Sequence, residues 1–240
     1  MSRPNTVIIP AYRPDERLIR LSAEVLALGY GIIVVDDGSG EAYAPVFEGL
    51  DSRVTLLRHE KNRGKGAGIK TGLTHVMEEN SKTSDPFEQI RFVCIMDADG
   101  QHLPADMERV MAAAEEHPQG LTLGVREVNR KMPLRSRLGN AVTRCVFHLL
   151  TASKVSDTQT GLRAFSAGLI PALIQVEGNR YEYEMAVLAY VARNHLGFTE
   201  VPTATPYEDR KNSTSHFRVI RDSILIYKGI CARGNILTTR

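Results

Sequence analysis

The chain has 240 residues, 30 Lys and Arg against 28 Asp and Glu, a net charge of +2, 42% apolar residues and no tryptophan. That length suits one large α/β domain, or one domain with an appended segment, and the scarcity of aromatics argues against a protein that stacks single-stranded nucleic acid. Three scattered cysteines, Cys94, Cys145 and Cys231, fit a reducing compartment and exclude a disulfide framework or zinc spacing.

The N-terminal residues lead straight into a predicted strand, Thr6–Ile9, ended by Pro10. They carry no signal-peptide pattern. Pro14 suits a first helical position, with Asp15 and Glu16 favourable in the first turn. Leu18, Leu21, Val25 and Leu28 then recur at helical spacing until Gly29. A second strand, Ile32–Val35, runs into Asp36-Asp37-Gly38-Ser39-Gly40. A third, Val54–Leu57, precedes Asn62-Arg63-Gly64-Lys65-Gly66-Ala67-Gly68 and a helix expected to about Val76. The polar stretch 79–89, with Pro86, reads as a surface loop.

A fourth strand, Phe92–Met96, ends in Asp97-Ala98-Asp99-Gly100-Gln101-His102, and a helix from Pro104 to Glu116 follows. Beyond it come a strand at Leu121–Gly124 leading to Arg126, a helix at Leu134–Leu150, and a loop at Asp157–Arg163 entering a short strand. Tyr183–Ala192 reads as a helix and Phe198–Val201 as a strand stopped by Pro202. The run Met185 to Ala192 is the longest apolar one, far short of the ~20 residues a spanning helix needs. A soluble or peripheral protein is expected.

Strand–helix alternation with continuous apolar strands predicts an α/β fold, a mostly parallel central sheet covered by helices on both faces. Ligands of such sheets bind beyond the carboxyl ends of the strands. Pro10–Asp15, Asp36–Gly40 and Asp97–His102 should therefore converge on one crevice. Two basic segments stand out on an otherwise acidic body. Residues 126–144 hold six basic residues and one acidic, and residues 210–240 seven and one. They suggest anionic partners. In the second, Ile220, Ile224 and Tyr227 share a helical stripe, with Arg218, Arg221 and Lys228 elsewhere.

Two carboxylates one residue apart at the end of a buried strand are suited to a hard divalent cation, Mg²⁺ or Mn²⁺. Asp97, Asp99 and Gln101 are the candidate metal and catalytic residues; the dull alternative is a turn capping the next helix. Phosphatases of the haloacid-dehalogenase type place Thr or Val where Gln101 stands. Asp37 could accept hydrogen bonds from a nucleobase or ribose, or merely close a turn. The glycine-rich stretch matches neither phosphate-loop spacing, and a close-packed helix explains it equally well. Arg126, Arg135, Arg137 and Arg163 could grip phosphate oxygens; without interleaved aromatics, nucleic acid is not the expected partner.

In this order, these clusters resemble the inverting glycosyltransferases of family 2, especially the polyprenyl-phosphate sugar synthases of the dolichol-phosphate mannose synthase kind. The resemblance runs through Ile9–Tyr12, Val35–Ser39, Asn62–Gly66, Asp97–His102, Gly124–Arg126, Asp157–Arg163 and Tyr183–Met185. It implies a GT-A fold, with a Rossmann-like nucleotide half (1–120), a smaller acceptor half (121–215) and a basic amphipathic tail (216–240). Pro10, Tyr12, Val35 and Asp37 would hold the nucleoside. Ala98, Asp99 and Gln101 would meet diphosphate and metal, with Asp97 a further ligand or a residue behind the ligands. Arg126, Arg210 and His216 would contact donor phosphate; His216 and Pro14 stand where the family usually has Lys and Glu.

The implied reaction moves a sugar from a GDP- or UDP-linked donor to a polyprenyl phosphate, positioned by Arg135, Arg137 and Arg163, at an anionic membrane surface on the cytoplasmic side. A membrane-protein partner would fit that setting. A sugar hydroxyl of a cell-surface polysaccharide is the alternative acceptor; it would need a base, for which Asp157 and Glu184 are the candidates. An inactive fold serving as sugar-nucleotide sensor or scaffold is the alternative of another class, and retention of both acidic pairs argues against it.

Overall fold

The computed structural model describes residues 5–126, 144, 147–149 and 151–204. In chain order these form β1 (Asn5–Ala11), α1 (Arg17–Ala27), β2 (Gly31–Asp36), a short α2 (Ala44–Glu48) and β3 (Thr55–Arg58). Next come α3 (Lys65–Ser81), β4 (Phe92–Ile95), α4 (Pro104–Glu116) and β5 (Leu121–Arg126). The described part closes with β6 (Arg163–Ser166), α5 (Ile170–Gln175), α6 (Glu182–Arg193) and β7 (Phe198–Thr203).

The seven strands make one sheet in the order β3-β2-β1-β4-β6-β5-β7. Only β6 runs against its neighbours, pairing antiparallel with both β4 and β5. Side chains alternate across the strands, so each half of a strand's apolar residues serves a different face. Ile8, Ile33 and Val35 pack with Ile69, Leu73 and Val76 of α3 and with α6. Val7, Ile9, Ile32 and Val34 pack on the other face with Leu18 and Val25 of α1 and with Met107, Val110 and Met111 of α4. The expected mostly parallel sheet covered on both faces is what forms.

Two prolines were expected to end strands and do not. β1 continues through Pro10, because Ile8 turns its carbonyl to Met96 N–H (3.0 Å) and Pro10 faces that same side beyond the last β4 pair. The hydrogen-bonding group it lacks has no partner strand to miss. Pro202 lies in β7, at the edge of the sheet, where a missing N–H is tolerated. α3 outruns its expected end at Val76 by five residues, since Met77–Ser81, mostly polar, contain no helix-breaking residue. α2 and α5 were not foreseen; each is about one and a half turns and too short for a periodic pattern. Of the helix expected at 134–150, residues 144 and 147–149 are helical, and Phe147 meets Phe198 edge to face at 6.3 Å. The tail expected at 216–240 lies outside the described residues.

The glycine-rich start of α3 is a packing device. A Cβ on Gly72 would lie 2.6 Å from Ile8 Cγ2, and one on Gly66 would lie 2.5 Å from Tyr183 Cβ. The absence of side chains lets α3 press onto β1 and against the start of α6. Gly66→Ala gains up to about 1 kcal/mol of helix propensity but forces two helix starts apart, an overpacking cost of about 1–3 kcal/mol. The expected net result is a lower urea midpoint; an unchanged or higher one would mean that this contact yields readily.

Candidate functional site

Three loops meet at the carboxyl ends of β1, β2 and β4. Asp37 N–H donates to Ala11 O (2.8 Å), and Arg13 N–H donates to Ser39 Oγ (2.8 Å). Ser39 N–H in turn donates to Asp36 Oδ1 (2.8 Å), so the turn after β2 is locked to the loop after β1. Gly38 holds φ +70° there, and a Cβ on it would collide with the backbone at Lys61 and Asn62. The loop after β4 carries Asp97 to His102 beside them, and Gly161 lies directly against the Asp97 carboxylate with no room for a side chain.

Asp97 and Asp99 come together as expected. Burial works against the ionised Asp97, but the Lys65 ammonium, with His102 and Arg163, prevails and holds its pKa below the ordinary carboxylate value. Burial and then the Asp97 charge push Asp99 the other way, although Gln101 N–H donates to its Oδ1 (3.0 Å). Two carboxylates repelling each other at the mouth of a crevice are an arrangement that a divalent cation relieves. No group of three His, Cys, Asp or Glu side chains among the described residues could hold a metal by itself. An open carboxylate pair that leaves positions for phosphate oxygens and water fits Mg²⁺ or Mn²⁺ bound together with a diphosphate.

Lys65, which the sequence reading left without a role, is central. Its Nζ lies 2.6 Å from Asp97 Oδ1 and 2.9 Å from Glu184 Oε1, and all three side chains are largely buried. Burial would lower the lysine's pKa, but Asp97 and Glu184 together raise it well above the ordinary value. Two further groups went unnoticed. His102 is buried beside the carboxylates; burial lowers its pKa despite their pull. Tyr181, half-exposed at the start of α6, has a phenol pKa raised by burial, with Asp97, Glu184 and Asp99 adding to the rise.

Other expected residues land elsewhere. Tyr12 is exposed at the rim under the Arg13 guanidinium, 5.0 Å from its ring centre. Pro10 is buried and Val35 wholly so, packed below Gly68, so Val35 offers the crevice no side-chain surface. Asp37 is 2% exposed and already fully engaged. Its Oδ1 meets His59 Nδ1 (2.7 Å) and Arg63 N–H (2.8 Å), and its Oδ2 accepts from Asn62 Nδ2 (2.9 Å) and Gly64 N–H (2.8 Å). A carboxylate has about four lone-pair positions. Those of Asp37 anchor the loop that leads into Lys65 rather than facing a nucleoside.

The acceptor-side expectations change as well. Arg163 is 2% exposed and donates to the carbonyls of Thr160 (2.9 Å) and Glu184 (2.6 Å), so it braces the site from behind rather than touching a phosphate in the crevice. Asp157 is buried, and Arg126 donates to both its oxygens through Nε (2.8 Å) and Nη2 (3.3 Å). It orients that guanidinium and is not poised as a base. Glu184 is committed to Lys65. Ala98 packs partly buried against the apolar core and Gln101 is exposed in the loop after β4; Arg135, Arg137, Arg210 and His216 lie outside the described residues.

Residues 6–226 match the family model described as glycosyl transferase family 2. The chain is 30% identical over 224 residues to a UDP-N-acetylglucosamine–dolichyl-phosphate N-acetylglucosaminyltransferase of Methanococcus voltae, covering 85% of this chain and 86% of that one. It is 24% identical to an undecaprenyl-phosphate 4-deoxy-4-formamido-L-arabinose transferase of Proteus mirabilis (strain HI4320), covering 92% of this chain and 65% of the relative. In fold it is similar to glucosyl-3-phosphoglycerate synthase of Mycobacterium tuberculosis, crystallised with Mn²⁺, UDP-glucose and phosphoglyceric acid. There the TM-score is 0.66 at 17% identity, over 96% of this chain and 80% of the other.

Proposed function

The chain belongs to glycosyl transferase family 2 and is a glycosyltransferase, and from that premise we propose that it moves a sugar from a UDP-linked donor to a polyprenyl phosphate. The observation that carries the choice of acceptor is the engagement of both carboxylates that could have served as a base: Asp157 is held by Arg126 and Glu184 by Lys65. A sugar hydroxyl must lose a proton to attack. A phosphate monoester, with a second pKa of ~6, is already ionised near neutrality and needs no base. The names of the relatives from Methanococcus voltae and Proteus mirabilis support the same acceptor class.

On this reading the donor lies across the ends of β1, β2 and β4. A divalent cation, when bound, neutralises the diphosphate so that it leaves readily. Asp97 and Asp99 hold the cation's side of the donor, and Arg126, oriented by Asp157, offers its guanidinium to phosphate oxygens. Attack from the face opposite the departing diphosphate inverts the anomeric carbon. No described helix is long and apolar enough to cross a membrane. The basic residues of 210–240 would instead meet an anionic cytoplasmic surface, each worth roughly 1 kcal/mol there.

A thermal-shift panel tests the donor. UDP with Mn²⁺ at a hundredfold excess over Kd should raise Tm by roughly 5–10 °C, and UDP without metal, or GDP with it, should do much less. Transfer assays test the acceptor: polyprenyl phosphate should be glycosylated and free sugar hydroxyls should not. Equal stabilisation by every nucleotide, or transfer to hydroxyls alone, would defeat the proposal.

A further inference from the structure

A lysine in the first turn of a helix opposes the helix dipole, which favours anions there. Lys65 holds that position in α3 and is largely buried as well. Buried ion pairs are weak sources of stability, because desolvation offsets most of the attraction. Stability alone therefore does not account for an ammonium placed between Asp97, at the end of β4, and Glu184, at the start of α6. Its placement does account for something else. One oxygen of Asp97 is occupied by a monovalent cation at 2.6 Å, and Asp97 is half of the carboxylate pair suited to a divalent one.

We infer that Lys65 is the resident counter-charge of the Asp97–Asp99 pair and makes divalent-cation binding conditional on the donor's diphosphate. The inference rests on the donor reading given above. Without diphosphate, an incoming dication must share Asp97 with an ammonium that repels it, and finds too few protein ligands to compensate. Diphosphate brings both oxygen ligands and negative charge, which offset that repulsion and leave Lys65 tolerable beside the metal. Glu184 sets the balance: it draws the ammonium away from Asp97, accepting at 2.9 Å from the other side. Lys65 is a positioning residue in this account.

Mn²⁺ binding, followed by the loss of the free-ion EPR signal, tests it in the full chain with and without UDP or GDP. The wild type should bind Mn²⁺ weakly alone and at least tenfold more tightly with its nucleotide. Lys65→Met should bind Mn²⁺ alone at least tenfold more tightly than the wild type, and the nucleotide should add correspondingly less. Lys65→Arg should behave like the wild type. Glu184→Gln, which leaves the ammonium to Asp97 alone, should weaken nucleotide-free Mn²⁺ binding, and it decides the matter if Lys65→Met does not fold. Nucleotide-dependent binding in the wild type with no gain in Lys65→Met, or a gain in Glu184→Gln, would overturn the role of Lys65 and leave the donor reading standing. No nucleotide-dependent binding in the wild type would overturn both.

Discussion

Asp99→Asn is expected to reduce sugar transfer by roughly two to three orders of magnitude while leaving the protein folded and, at neutral pH, more stable than the wild type. The loss follows from the chemistry. A neutral amide holds Mg²⁺ or Mn²⁺ more weakly than a carboxylate does, and charge on the departing diphosphate would go unbalanced. The gain follows from electrostatics. Burial and the neighbouring Asp97 raise the folded-state pKa of Asp99 above its unfolded value, so the ionised carboxylate penalises the folded state. The sign is that of any raised carboxylate: the penalty is present above the folded-state pKa and disappears as pH falls below the unfolded value, where both states are protonated. Urea midpoints of variant and wild type, measured without divalent ions, should differ at pH 7 and converge in acid. Activity retained within tenfold would remove Asp99 from the metal's coordination.

The sheet was legible because its central strands β1, β2 and β4 are short, rich in apolar residues and buried on both faces, and because turn residues punctuate them. The convergence of the loops after β1, β2 and β4 followed from parallel topology alone. What the sequence could not convey was which way a polar side chain turns. Asp37 and Asp97 both follow apolar strands and read alike, yet Asp37 points under the loop at 59–64 while Asp97 stands at the crevice. Arg126 and Asp157 were each assigned to a substrate, but 31 residues of separation concealed that they pair with each other. Arg163 looked like a phosphate ligand because an arginine's charge is plain in sequence and its burial is not. Lys65 drew no role of its own, because the stretch around it was read only for its glycines. One signal was available: a cation in the opening turn of a glycine-rich helix is misplaced with respect to the dipole, and that mismatch calls for anionic neighbours.

Asp37→Ala is expected to cost about 3 kcal/mol or more of stability, lowering Tm by roughly 6–12 °C. The carboxylate is buried, and four donor groups, from His59, Asn62, Arg63 and Gly64, converge on it. Removing it leaves those donors without that partner around a buried, emptied site, and an unsatisfied buried group costs more than a hydrogen bond contributes. Two of the four are backbone N–H groups that cannot rotate away. His59 also loses the orientation that aims its Nε2 at Thr71 Oγ1, 2.9 Å distant. Asp37→Asn should fall between the wild type and alanine, since an amide keeps the shape but turns an NH₂ toward at least one pair of donors. Denaturation without any nucleotide is the decisive measurement, because it separates two roles. A side chain whose task is to accept from a nucleobase would lose UDP affinity on substitution and little else. One that anchors the loop entering α3 loses stability first, and with it the seating of Lys65 between Asp97 and Glu184. An Asp37→Ala protein as stable as the wild type but unable to bind nucleotide would return Asp37 to the donor site.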